Sequence, residues 1–220
     1  PSPILPFIPR FYGTREIPLE DVQEIVKRHS APFRFSRQVD KVPQGSQFIV
    51  MEDLTRGCKR PCVVDLKLGT RQHGDDVPPA KVISMTKKCQ DSTSASLGVR
   101  LSGMIVWSAQ EQKHVFVDKY VGRHSQGIES LRDGLQIFLH DGTKLRVNLI
   151  HRYLDKLRSL EHVLQTSFPY RMYSASLLLI YDGDDDDHDE VGEKGRLAKV
   201  EARVIDFAHI YALEPGREKD

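Results

Sequence analysis

Apolar residues recur along this chain in two rhythms, one of period two and one of three-and-four, and together they divide it into strands and helices. Residues 61–71 read PCVVDLKLGTR, a short apolar run ending in charged positions, which predicts a buried strand. Residues 47–51 predict a second strand, running into Glu52-Asp53-Leu54. Residues 97–107 and 114–120 are β-like runs that pair as a hairpin across 108–113, and 170–181 and 200–207 predict the closing strands. Three-and-four spacing governs residues 128–140, with Ile128, Leu131, Leu135 and Phe138 on one stripe, and also 145–164. Both read as core helices without chemistry. Residues 17–29 carry Ile17, Val22, Ile25 and Val26 behind a start signal at Pro18 and Glu20, and predict another helix. Residues 78–91 predict a helix bearing Lys81, Lys87 and Lys88, whereas the apolar, proline-punctuated residues 1–13 predict a packed but irregular lead-in.

A chain of 220 residues at 39% hydrophobic buries a real core, as one domain or as two closely packed lobes. Its cysteines, Cys58, Cys62 and Cys89, are odd in number, with no CxxC pair and no nearby histidine cluster. That pattern argues against a disulfide framework and a zinc site, and for a reducing compartment. No charged-then-apolar leader and no bilayer-length apolar run is seen, so the expectation is a soluble chain, cytoplasmic and/or nuclear, with no membrane partner. The net charge of +1 conceals an asymmetry: residues 56–100 hold nine Lys or Arg against four Asp or Glu, and 182–190 hold seven acidic residues and no basic one. A basic stretch of this kind is a solvated surface, a nucleic-acid patch or a polyanion site. Aromatic residues are absent from 56–100, which disfavours base stacking and nucleic-acid partners and leaves phosphate recognition. The acidic run lacks the ligand-and-glycine spacing of an EF-hand, and reads as a solvated loop.

Asp65 and Lys67 stand two apart on the predicted strand, so carboxylate and ammonium project from one face. Such a pair fits phosphoryl transfer, and the spacing by itself fits a strand-end salt bridge as readily. Val204-Ile205-Asp206-Phe207 is a second acidic strand end far downstream, and the two ends could share one nucleotide site.

Pro61, Asp65, Lys67 and Gly69 meet a PxxxDxKxG signature, Ser176-Leu177-Leu178 an SLL element, and Ile205-Asp206-Phe207 an IDF element, in that order. Through these motifs the chain resembles the inositol polyphosphate kinases over residues 47–210. The wording TRQHGDD (70–76), KKCQDSTSASLGVRLSGM (87–104) and DFAH (206–209) resembles their inositol hexakisphosphate kinase branch. The resemblance implies a two-lobed α+β fold, protein-kinase-like and ATP-grasp-like, with a partial N-terminal lobe at 1–52 and a C-terminal catalytic lobe at 53–220. It implies an inositol phosphate-binding segment at 71–95. The family's nucleotide-binding lysine is expected before Pro1 and its terminal helix after Asp220, and neither Lys27 nor Lys41 sits in an equivalent strand. The implied reaction transfers a phosphoryl group from ATP, with Mg²⁺, to inositol hexakisphosphate. Open beside it are a multikinase or trisphosphate 3-kinase acting on a hydroxyl, and a catalytically incomplete polyphosphate-binding module. The branch wording separates the first two, and the unplaced nucleotide lysine keeps the third open.

The implied acceptor shapes the expected mechanism. A phosphate oxygen is already anionic near neutral pH, with a second pKa around 6, so no base is required. Six such groups carry on the order of nine to twelve negative charges, and the enzyme's work is positioning and charge neutralisation. Carried over by position, Asp206 is implied to hold Mg²⁺ with help from Ser176, and Asp65 to accept from the ribose. Lys67 is implied between acceptor and transferred phosphate, and Glu52 and Leu54 along a hinge that meets adenine through backbone groups. Arg71, Lys81, Lys87 and Lys88 are implied for the acceptor's other phosphates, with Arg100, Lys119 and Arg123 behind them. His73 and His209 are expected to be satisfied structural histidines.

Overall fold

The computed structural model describes residues 2–29, 43, 45–184 and 199–213. Chain order runs β1 (Phe11–Glu16), α1 (Leu19–His29), β2 (Gln47–Met51), β3 (Pro61–Leu68), α2 (Pro79–Gln90), α3 (Thr93–Leu97), β4 (Val99–Ser108) and β5 (Lys113–Val117). It continues through α4 (Lys119–Arg123), α5 (Gly127–Leu139), α6 (Val147–Thr166), β6 (Tyr170–Tyr173), β7 (Ser176–Asp182), β8 (Val200–Ile205) and β9 (His209–Ala212). Two compact units result, Pro9–Asp53 and a larger one of Pro1–Ile8 with Leu54–Asp220. The predicted acidic loop beyond Asp184, and Lys41, lie outside the described residues.

The smaller unit holds an antiparallel ribbon of β1 and β2, with Phe11 opposite Met51 and a register shift between Phe11 and Gly13. β1 corrects the expectation of an irregular stretch up to residue 13. Its Phe11 and Tyr12 are exposed, so the strand shows none of the buried alternation that would mark it in sequence.

The larger unit is built on an antiparallel sheet in the order β5-β4-β3-β7-β8. β3 lies at its centre and alternates cleanly: Cys62, Val64 and Leu66 are buried, while Val63, Asp65 and Lys67 take the other face. The buried set joins Phe138 of α5 and Leu149, Tyr153 and Leu160 of α6 in one core cluster. Each such side chain fully removed from water contributes roughly 1.5–3 kcal/mol. The face bearing Asp65 and Lys67 is thereby held rigidly from behind.

Three predicted strands change form. Residues 170–181 split into β6 and β7, because Ser174 adopts φ 62° and turns the chain from the β6-β9 ribbon into the central sheet. The strand expected at 114–120 stops at Val117, where Asp118 caps α4 by accepting from the Tyr120 N–H at 3.0 Å. The expectation of 97–107 begins two residues early, since Leu97 closes α3, which Ser92 caps at its start and left-handed Gly98 ends. Asp182, assigned to the solvated acidic run, is instead buried at the end of β7. Its carboxylate accepts the N–H groups of Lys59 at 2.7 Å and Arg60 at 2.8 Å.

Candidate active site

β3 delivers Lys67 to a corner where two strand ends meet. Its Nζ donates to Asp206 Oδ2 at 2.8 Å and to the Ser174 carbonyl at 2.9 Å. The lysine side chain is 13% exposed and that of Asp206 53%, so the cation is enclosed while the carboxylate opens to solvent. Both partners stand on left-handed backbone, Ser174 at φ 62° and Asp206 at φ 66°. Left-handed backbone is uncommon outside glycine, with Asp among the residues that tolerate it, and here it turns a carbonyl and a carboxylate onto one ammonium.

Asp65 shares the face of Lys67 but does not pair with it. The β3–β7 register sets Lys67 opposite Ser176 and Asp65 opposite Leu178, which puts Ser176 diagonal to Asp65. Asp65 Oδ1 and Ser176 Oγ are both buried and neither makes a hydrogen bond of full geometry among the described residues, although the Ser176 hydroxyl lies near enough to the Asp65 carboxyl to favour its charged form. Burial pushes the Asp65 carboxyl above its ordinary value, and Asp206 adds to that, whereas the Ser176 hydroxyl, Lys67 and Arg100 pull it back. Buried polar oxygens are normally satisfied, so this corner is shaped for groups that a ligand brings.

The basic residues take several different positions. Lys81, Lys87 and Lys88 are exposed on α2, with Lys87 in an ion pair with Asp91 at 3.5 Å. Arg71 is committed locally: Nε donates to the His73 carbonyl at 3.1 Å, the guanidinium pairs with Asp75, and it stacks over Tyr173 at 4.2 Å. Arg100 is 7% exposed and donates to Gln72 Oε1 at 3.0 Å, with Gln72 in turn donating to Ser94 Oγ at 3.2 Å. Lys119 and Arg123 flank Tyr120 on α4, at 5.6 and 4.9 Å from its ring centre. Glu52 and Leu54 fall in different compact units. The Glu52 carboxylate accepts from Arg10 N at 3.1 Å, and the Leu54 carbonyl accepts from Lys199 Nζ at 2.8 Å. His73 Nδ1 lies 3.1 Å from the Gly74 carbonyl, and His209 packs so close to Gly74 that a Cβ there would lie 2.8 Å from its Nδ1. A cavity of about 420 Å³ near Val106, Val115, Ile137 and His140 includes none of these groups.

Residues 48–220 match the family model of inositol polyphosphate kinases. The chain belongs to the inositol polyphosphate kinase family. It is 40% identical over 188 residues to inositol hexakisphosphate kinase 3 of Mus musculus, covering 82% of this chain and 47% of that protein. It is 37% identical over 207 residues to inositol hexakisphosphate kinase 2 of Homo sapiens, covering 84% and 48%. The chain spans about half the length of these curated relatives. The fold matches that of the inositol phosphate multikinase of S. cerevisiae, solved with ADP and Mn²⁺, at a TM-score of 0.71 and 21% identity over 100% of this chain and 84% of that one. In this member of the family, then, Asp65, Lys67, Ser176 and Asp206 converge on one corner from three strands. The Ser174 carbonyl was not among the expected groups, and nothing in a serine's neighbourhood announces a left-handed backbone. Gln72 and Ser94, which hold Arg100, were equally silent as polar residues near motifs.

Proposed function

We propose that this chain is the catalytic region of an inositol hexakisphosphate kinase. A phosphate oxygen of inositol hexakisphosphate forms a bond to the γ-phosphorus of ATP, the bridging β–γ bond breaks, and ADP leaves with the electron pair. The product is a diphosphoinositol pentakisphosphate. The observation that carries this reading is the corner itself, where an enclosed Lys67 bridges to Asp206 beside the buried, incompletely satisfied oxygens of Asp65 and Ser176. The curated relatives named as inositol hexakisphosphate kinases support the choice of acceptor.

The residues divide the work by charge. Lys67 supplies a cation where donor and acceptor share negative charge, and its enclosure strengthens that effect relative to water. Asp65 accepts from the nucleotide's ribose through the oxygen that is otherwise unpaired. The acceptor arrives as an anion, so no side chain has to take a proton from it. Lys81, Lys87 and Lys88, exposed on α2, meet its outer phosphates.

No group of three potential metal-ligating side chains exists among the described residues. The half-exposed Asp206 carboxylate and the nearby Ser176 hydroxyl are oxygen donors that fit Mg²⁺, which is commonly held by one or two protein oxygens together with nucleotide phosphates. Asp206 and Ser176 are the oxygens that would hold it, and the ion would neutralise charge on the transferring phosphates. The odd number of cysteines without a CxxC pair fits the reducing cytosol or nucleus as the working compartment, which imaging of the tagged protein would test.

The test is ATP-dependent conversion across inositol tris-, pentakis- and hexakisphosphate. Hexakisphosphate is expected as the preferred acceptor. Phosphorylation confined to free hydroxyls of the less substituted inositols would contradict the proposal.

A further inference from the structure

The segment between β3 and α2 is fastened to the β6-β9 ribbon by two tyrosines. Tyr173 of β6 lies beneath the Arg71 guanidinium at 4.2 Å, and its ring stands 5.7 Å from that of Tyr211 on β9. The Tyr211 hydroxyl donates to Asp76 Oδ1 at 2.7 Å and accepts from the Asp75 N–H at 3.2 Å. Gly74 leaves the ring its room, since a Cβ there would collide with the Tyr211 hydroxyl. This hydrogen bond holds the Asp76 carboxyl below its ordinary value, with His209 and Lys81 reinforcing it in the same direction.

The clamp connects the two ends of the site through the chain. β9 follows Asp206 after two residues, and α2, with its exposed lysines, begins three residues after Asp76. One hydroxyl thus ties the segment that leads from Asp206 to the segment that leads into the basic helix. We propose that Tyr211 is a positioning residue for the acceptor: by pinning Asp75 and Asp76 it fixes where α2 presents Lys81, Lys87 and Lys88. This rests on the reading of the acceptor given above.

The test is Tyr211→Phe, which removes the hydroxyl and keeps the ring against Tyr173. The KM for inositol hexakisphosphate is expected to rise by about three- to tenfold, within the range of one ordinary hydrogen bond at an exposed site, while kcat and the KM for ATP hold. Asp76→Ala should give the same split, and the double variant should be no worse than either single. Asp76→Asn, whose amide oxygen still accepts from Tyr211, should recover most of the affinity. Amide exchange at Asp75 should quicken in Tyr211→Phe, a readout independent of turnover. An unchanged acceptor KM, or equal rises for acceptor and ATP, would overturn the proposal. Should the wild type fail to phosphorylate or bind hexakisphosphate, the substrate reading falls instead, and unchanged exchange at Asp75 would then overturn the clamp by itself.

Discussion

Asp65 sits at odds with its surroundings, and that is measurable. Its folded-state pKa lies above the ordinary carboxylate value, chiefly through burial, so the native state holds its proton more tightly than the unfolded chain does. The sign follows: the carboxylate costs nothing below the ordinary value near 3.9, and destabilises increasingly as pH rises through the raised one. Asp65→Asn should therefore unfold at a higher temperature than the wild type at neutral pH, with the gain vanishing in acid. Calorimetry across pH checks this, and an acid-independent gain would assign the effect to packing. Lys67 presents the complementary case, a cation with two fixed partners. Lys67→Ala should lower kcat by about 10²–10³, as removal of one preorganised transition-state donor does, and change ATP affinity far less. A titration in which ATP affinity collapsed while saturated turnover held would make Lys67 a ground-state nucleotide ligand.

Among the elements, short α4 shows how closely the frame around the sheet is fitted. A Cβ on Gly122 would run into the backbone carbonyl of Leu101 on β4, and backbone cannot swing aside as a long side chain can. Gly122→Ala should cost about 1–3 kcal/mol by overpacking, read from urea unfolding, and a wild-type midpoint would refute that contact. Nothing in the periodicity revealed α4, since its five residues are too few to show a stripe. β3 and α6 were legible for the opposite reason: each is long, one face of each is buried, and the apolar rhythm repeats enough to be read. Asp65, Lys67, Ser176 and Asp206 were legible as motifs on strand ends. Their closure was not, because it depends on the left-handed turns at Ser174 and Asp206, which sequence does not mark at non-glycine residues. Asp182 misled for a related reason: a run of like charges reads as solvated, while its first member found three backbone donors.

Across the whole molecule, a chain of net charge +1 concentrates its basic residues where the acceptor is proposed to bind. Neutralising Lys81, Lys87 and Lys88 together should raise the KM for inositol hexakisphosphate far more than that for ATP. The wild-type KM should also climb steeply with salt, because exposed charges are screened within about 8 Å at physiological ionic strength. Unchanged affinity in the triple variant at low salt would place the acceptor nearer Lys119 and Arg123 on α4. The central claim is that the corner of Asp65, Lys67, Ser176 and Asp206 transfers phosphate onto phosphate. Phosphorus NMR of inositol hexakisphosphate incubated with ATP, Mg²⁺ and the protein tests it most directly, run beside Asp206→Asn as a folded control. New diphosphate resonances on the inositol are expected with the wild type and none with Asp206→Asn. Diphosphate formed equally by the variant, or none formed by the wild type while a less phosphorylated inositol gains an ordinary phosphate ester, would contradict it.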